Sequence, residues 1–251
     1  MKWVILFLSL AVFTMLVNHS QAWEVLVVDA VSEPGLEFQV LSGNVKTVKE
    51  QEIIYTQIGT KGLPDEIKGK QYDVVWLGWN CTSDDGSYFR ENDAELIATY
   101  VEAGGVLVTS ASDNNGWKSD WLPAAVTVLD TGDYDLDITD GGKEVFSKPN
   151  NVKPADPIMD ERYSAIDDKW TVLAWGAGMK GNEAGVIQIA HGKGLYFMVS
   201  IDTRNAANTQ SALPLMENIL NYVLDYAGSL KPVESVGKLS AKWASIKRHE
   251  I

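Results

Sequence analysis

The stretch from Tyr72 to Asp113 constrains this chain more than any other, because it reads as strand, helix, Gly-Gly turn and second strand. Tyr72 to Leu77 is a short, nearly continuous apolar run of the kind that a parallel sheet buries on both faces. Leu96, Ile97, Tyr100 and Val101 give the next segment one apolar helical face, Gly104 and Gly105 stop that helix, and Val106 to Val108 return to the sheet. The pattern predicts a βαβ unit. Ligands of open α/β sheets collect beyond the carboxyl ends of the strands, so Trp79, Asn80, Ser110, Ser112 and Asp113 fall where a site is expected.

Around that unit the chain carries further strand and helix signals. Glu24 to Asp29 and Glu52 to Ile58 read as strands, and the breaker-rich segment from Val31 to Lys49 as a short helix and loop. Leu63 to Ile67 is a helical turn. Gly185 to Ala190 and Leu195 to Ile201 read as two strands joined by a four-residue connection, His191-Gly192-Lys193-Gly194, and Leu213 to Tyr226 as an amphipathic closing helix. The expected domain is 23–227. Residues 228–251, with Lys231, Lys238, Lys242, Lys247 and Arg248, read as a basic tail or linker.

At the other end, Lys2 precedes an apolar run from Trp3 to Val17, and Ser20-Gln21-Ala22 supplies small residues at the spacing of a signal-peptidase site. The expectation is a signal peptide over 1–22, cleavage after Ala22, a secreted or periplasmic product and no membrane span after cleavage. The net charge of −13, one unit more negative without Lys2, repels polyanions and excludes nucleic acid bound through charge. Neutral sugars, cations and basic surfaces remain open as partners. Cys81 stands alone, so no internal disulfide forms, and its neighbours offer no cation to activate a thiolate.

Two local patterns have a chemical and a structural reading. Asp133, Asp135 and Asp137 alternate as in a calcium loop, but the position that needs glycine is Ile138, and the alternation of Tyr134, Leu136 and Ile138 fits a half-buried strand. No metal site is expected, and no cofactor. Trp79, Trp117, Trp121, Trp170 and Trp175 could stack on sugar rings, with one or two of the five lining a site and the rest packing.

A Ser-His-Asp mechanism would need Ser110, His191 and Asp202, all at predicted strand ends. His191 is the only histidine between the export segment and the tail, so any imidazole chemistry must use it. Ser110 lacks the glycines of a nucleophile elbow, and His191 opens a turn expected at the far end of its hairpin.

The Tyr72 to Ser110 unit resembles the class I glutamine amidotransferase-like superfamily, with Ser110 in the place of that superfamily's nucleophile cysteine. Within it the chain is similar to the ThuA-like (trehalose utilisation) group. The similarity rests on Glu102-Ala103-Gly104-Gly105, on Trp117 to Pro123, on Asp160-Glu161-Arg162-Tyr163 and on Gly192-Lys193-Gly194, within residues 23–227. Two departures stand out: Ile201-Asp202 replaces a Gly-His, and the elbow histidine is absent. The resemblance implies a flavodoxin-like three-layer α/β/α sandwich with a mainly parallel sheet.

The leading expectation for function is a non-catalytic domain that binds saccharide or glycoconjugate, with Trp79, Asn80, Ser112, Asp113, Asn114, Trp117 and Glu161 around the ligand. The alternatives are a hydrolase or other sugar-modifying enzyme using Asp113, Glu161, His191 or Asp202 as acid-base groups, and a structural interaction domain with a vestigial pocket.

Overall fold

A computed structural model describes residues 22–29, 36–82, 91–110 and 117–230. Residues 1–21 of the expected signal peptide, residues 231–251 of the expected tail at 228–251, and Ser112, Asp113 and Asn114 lie outside the described residues.

Strand β1 (Trp23–Asp29) is followed by α1 (Leu36–Asn44), the short β2 (Thr47–Val48), β3 (Gln51–Gly59) and α2 (Leu63–Gly69). The βαβ unit is present as β4 (Val74–Leu77), α3 (Glu91–Glu102) and β5 (Val106–Thr109), and its strands are parallel neighbours. Three-residue strands β6 (Thr127–Leu129), β7 (Leu136–Ile138) and β8 (Arg162–Ser164) follow, with α4 (Lys143–Ser147) between β7 and β8. The chain then runs through β9 (Thr171–Gly176), β10 (Ala184–His191), β11 (Gly194–Val199) and α5 (Ala206–Leu230).

Strands β3, β1, β4, β5 and β11 lie side by side in that order and all parallel, and β10, β8 and β6 extend the sheet antiparallel. This is an α/β fold with a mixed, mostly parallel sheet flanked by helices. Alternate residues of each central strand feed two separate cores. Val25, Val27, Val74, Trp76, Val106, Val108 and Phe197 face α1 and α5, while Leu26, Val28, Val75, Leu77, Leu107 and Met198 face α2 and α3. Burial on both sides is why these strands read as unbroken apolar runs.

The Gly-Gly turn has a steric cause. Gly104 takes φ +115, and a Cβ on Gly105 would sit 2.2 Å from the Tyr100 ring, whose hydroxyl donates to the carbonyls of Tyr72 and Val106. Two sequence expectations need correction. His191 pairs with Gly194, so the hairpin connection is the two residues Gly192 and Lys193 rather than four. The closing helix begins at Ala206, well before Leu213, because Asn205 caps it by accepting the Asn208 amide at 3.0 Å. Pro214, which resembles a first-turn proline, is inside the helix. Among the described residues no helix is long and apolar enough to cross a membrane.

Candidate functional site

The chain passes from β1 outward to β3 and returns to β4 on the other side of β1, so the strand order reverses between β1 and β4. Beyond the carboxyl ends of such strands the backbone diverges and leaves room for polar groups. The polar side chains concentrate there. Asp29 ends β1 and accepts a hydrogen bond from Gln57 Nε2 at 2.7 Å. Gly78, Trp79, Asn80 and Cys81 form a tight turn after β4, with Asn80 in the left-handed region at φ 58. Ser110 follows β5, and Asp202, Thr203 and Arg204 follow β11.

Glu37, in the first turn of α1, reaches into this end of the sheet and is 2% exposed. Its Oε1 accepts the Trp79 amide at 2.6 Å and the Thr203 hydroxyl. A Cβ on Gly78 would lie 2.8 Å from Glu37 Oε2, so only glycine lets the carboxyl pack against the turn. Burial, with the Asp29 charge adding to it, pushes the Glu37 carboxyl up to about 7, against the pull of its hydrogen bonds.

A second polar group abuts the first through Arg204. Its Nε donates to Asp202 at 2.7 Å, another guanidinium nitrogen pairs with Asp160, and the guanidinium lies 5.2 Å from the centroid of the Trp79 ring. Asp202 is 1% exposed and also accepts the Arg204 amide at 2.9 Å and Asn208 Nδ2 at 2.6 Å. Asp160 is held by backbone pairing: its amide donates to Ser200, and Asp202 donates its own to Ile158. Glu161 is buried at φ 33, and its carbonyl accepts the Tyr134 hydroxyl at 2.7 Å.

Ser110 is 2% exposed and its Oγ accepts the Trp76 indole N–H at 3.3 Å. His191 does not approach it. Leu195 is in register with Val106 and Met198 with Thr109, so the His191–Gly194 pair sits at the amino end of β5. On the order of 16 Å of strand therefore separates His191 from Ser110. His191 Nε2 instead faces Glu102 Oε1 at 3.1 Å. Ser110, His191 and Asp202 do not converge into a triad, although Ser110 and Asp202 share one end of the sheet.

Of the other sequence candidates, Trp79, Asn80 and Glu161 lie at that end. Trp79 is 5% exposed with Arg204 over its ring. Trp117 is half-buried on the α3 side, donates its indole N–H to Val126 at 3.0 Å and meets Trp121 edge-on. Cys81 is buried, its thiol donating to the Val28 carbonyl at 3.2 Å, and burial pushes that thiol well up. Among the described residues no group of three or more His, Cys, Asp or Glu is arranged to hold a metal ion.

Sequence reasoning missed Glu37, Asp29, Thr203 and Arg204. Arg204 was within reach of the strand-end rule that found Asp202. Glu37 carried no signal, since an acid in a first helical turn normally sits in water at the helix dipole. Among the described residues the arrangement supplies a buried carboxyl raised to about 7, two buried carboxylates paired with Arg204, and a serine with no imidazole at its end of the sheet.

No protein-family model matches the chain, and no curated protein sequence matches it. Solved structures match in fold. A cytoplasmic protein of Salmonella typhimurium LT2 superposes with a TM-score of 0.57 at 10% identity, over 80% of this chain and 99% of that one. A protein described as a GMP synthase subunit, from Thermoplasma acidophilum, gives 0.54 at 12% identity, over 86% and 99%. A carbohydrate deacetylase gives 0.53 at 10% identity, over 80% of this chain and 32% of its own.

Proposed function

We propose that this chain is an exported, non-catalytic amidotransferase-like domain of the ThuA-like kind that binds saccharide or glycoconjugate at the carboxyl ends of its parallel strands. The observation that carries the reading is the state of Ser110. It occupies the position after β5 where the resemblance puts the nucleophile, yet it is buried, accepts the Trp76 indole N–H, and among the described residues has no imidazole at its end of the sheet. A hydroxyl that is buried and lacks a base is not activated for attack. Arg204, part-exposed and held by Asp160 and Asp202, offers at this end of the sheet a fixed hydrogen-bonding group of the kind that a polyhydroxylated ligand requires. The fold shared with a carbohydrate deacetylase agrees with that ligand class.

Glu37 favours a second reading, a sugar-modifying enzyme in which this carboxyl acts as general acid or base, since about 7 is the range where proton transfer at neutral pH is efficient. A screen of ester, amide and glycoside substrates with wild type, Ser110→Ala and Glu37→Gln separates the readings. The non-catalytic reading expects no turnover by any of the three. Turnover abolished by Glu37→Gln would establish the second reading, and turnover abolished by Ser110→Ala would sink the premise that Ser110 is inert.

A further inference from the structure

We infer that a second saccharide site lies away from the strand-end cluster, in the groove between the loop joining β8 to β9 and the turn that leads into β10. It rests on the proposed function for its ligand class, but not for its location. The groove encloses about 570 Å³, within the usual range for small-molecule sites, and its lining includes Asp167, Asp168, Trp170, Trp175 and Asn182. It shares no lining residue with the strand-end cluster.

Its place in the fold explains why a groove is there. Tyr163 of β8 and Trp175 of β9 both pair with Ala184 of β10, so the two strands flank that residue. The connecting loop must then span the gap. Both walls are tied by backbone bonds. Asp167 donates its amide to Ala125 at 3.1 Å, Trp170 donates its own to Asp167 at 3.0 Å and its indole N–H to Ala124 at 3.3 Å. Across the groove, the Gly176 amide donates to Glu183 at 2.9 Å and the Asn182 amide to Met179 at 2.9 Å. A groove with fixed walls binds without first ordering its own loops.

The five tryptophans divide by what their rings do. Trp117, Trp121 and Trp170 commit their indole N–H to carbonyls, and Trp79 lies under Arg204. Trp175 is half-buried, and among the described residues its indole N–H makes no hydrogen bond. It therefore offers the groove an apolar face with a donor at its edge. Asp167 and Asp168 add acceptors for sugar hydroxyls, and Asn182 adds both a donor and an acceptor. Among the described residues no lysine or arginine lines the groove, and the nearby Arg162 is paired with Glu183 at 2.9 Å. The ligand is thus a neutral sugar ring, stacked on Trp175 and hydrogen-bonded through its hydroxyls, and not a uronate or a phosphorylated or sulfated sugar.

The test follows the indole N–H resonances of the full chain by NMR while neutral hexasaccharides (cello-, malto-, manno- and chitohexaose) and the anionic hexagalacturonate are added. The expected result is that a neutral hexasaccharide moves the Trp175 resonance and hexagalacturonate does not. Asp168→Lys, a change at an exposed side chain, should weaken that binding by about tenfold, as should Trp175→Ala. If the Trp79 resonance moves and Trp175 stays still, the ligand sits at the strand ends and the groove is wrong. Movement of Trp175 alone supports the groove and removes the strand-end location. Silence at both resonances across the panel overturns both, and equal binding of hexagalacturonate overturns the neutral-sugar assignment.

Discussion

Thr203 and Trp79 donate to the same oxygen of Glu37, Oε1, the first through its hydroxyl and the second through its amide at 2.6 Å. That leaves Oε2, packed on Gly78, as the position for a proton. Two elements far apart in sequence, the turn after β4 and the segment after β11, are joined through one carboxyl group.

The pH dependence of stability follows from Glu37. Its carboxyl is raised from the ordinary 4.5 to about 7, so between those values the folded state holds a proton that the unfolded state has lost. Stability contributed by this group is full below pH 4.5 and falls as pH rises towards 7, by on the order of 3 kcal/mol. Glu37→Gln keeps an oxygen for both donors and removes the titration. Urea unfolding from pH 5 to 8 should show a shallower decline for the variant, and parallel curves would refute this.

Gly78→Ala places a Cβ against that carboxyl and should cost about 1–3 kcal/mol, as overpacking does. Combined with Glu37→Ala the penalty should shrink, since the atoms in conflict are gone. Additive losses in a double-mutant cycle would show that the clash lies elsewhere.

Ser110→Ala leaves the buried Trp76 indole N–H without its acceptor, so the expected loss is about 1–2 kcal/mol. The near-ultraviolet circular dichroism should change at the same time, because Trp76 loses its fixed partner. A variant of unchanged stability and spectrum would mean that the bond is not formed in solution.

The β10–β11 hairpin offers a contrast between neighbours. His191→Ala removes a part-exposed contact with Glu102 and should cost less than about 1 kcal/mol. Gly194→Ala should cost about 3 kcal/mol or more, because its Cβ would stand 2.1 Å from the Val101 carbonyl oxygen and 2.2 Å from that of Gly105. Thermal melts of the pair would rank them, and similar losses would contradict the packing described.

The parts legible from sequence were those whose cause is local. Val74–Leu77 and Val106–Thr109 announce themselves because both faces are buried, and the glycines at 104 and 105 mark the helix end. The helix start at Ala206 was hidden because Pro214 mimics a first turn, while the true cap, Asn205, is one polar residue among several. Strands β6 and β8 are three residues each and exist through pairing with each other and with β10, which no local pattern encodes. Asp202 was found at the strand end, and Glu37 was not, because its burial depends on Gly78 and Thr203 arriving from elsewhere in the chain.

The insertion of β11 beside β5 has a consequence for how the protein is made. Until Leu195 to Met198 have left the ribosome, Val106 to Thr109 have no partner on one side, and their amides and carbonyls present an open apolar edge. The amino-terminal half of the sheet therefore cannot close on itself during synthesis. A nascent chain stalled between β5 and β11 should be the form most exposed to chaperone capture and to aggregation.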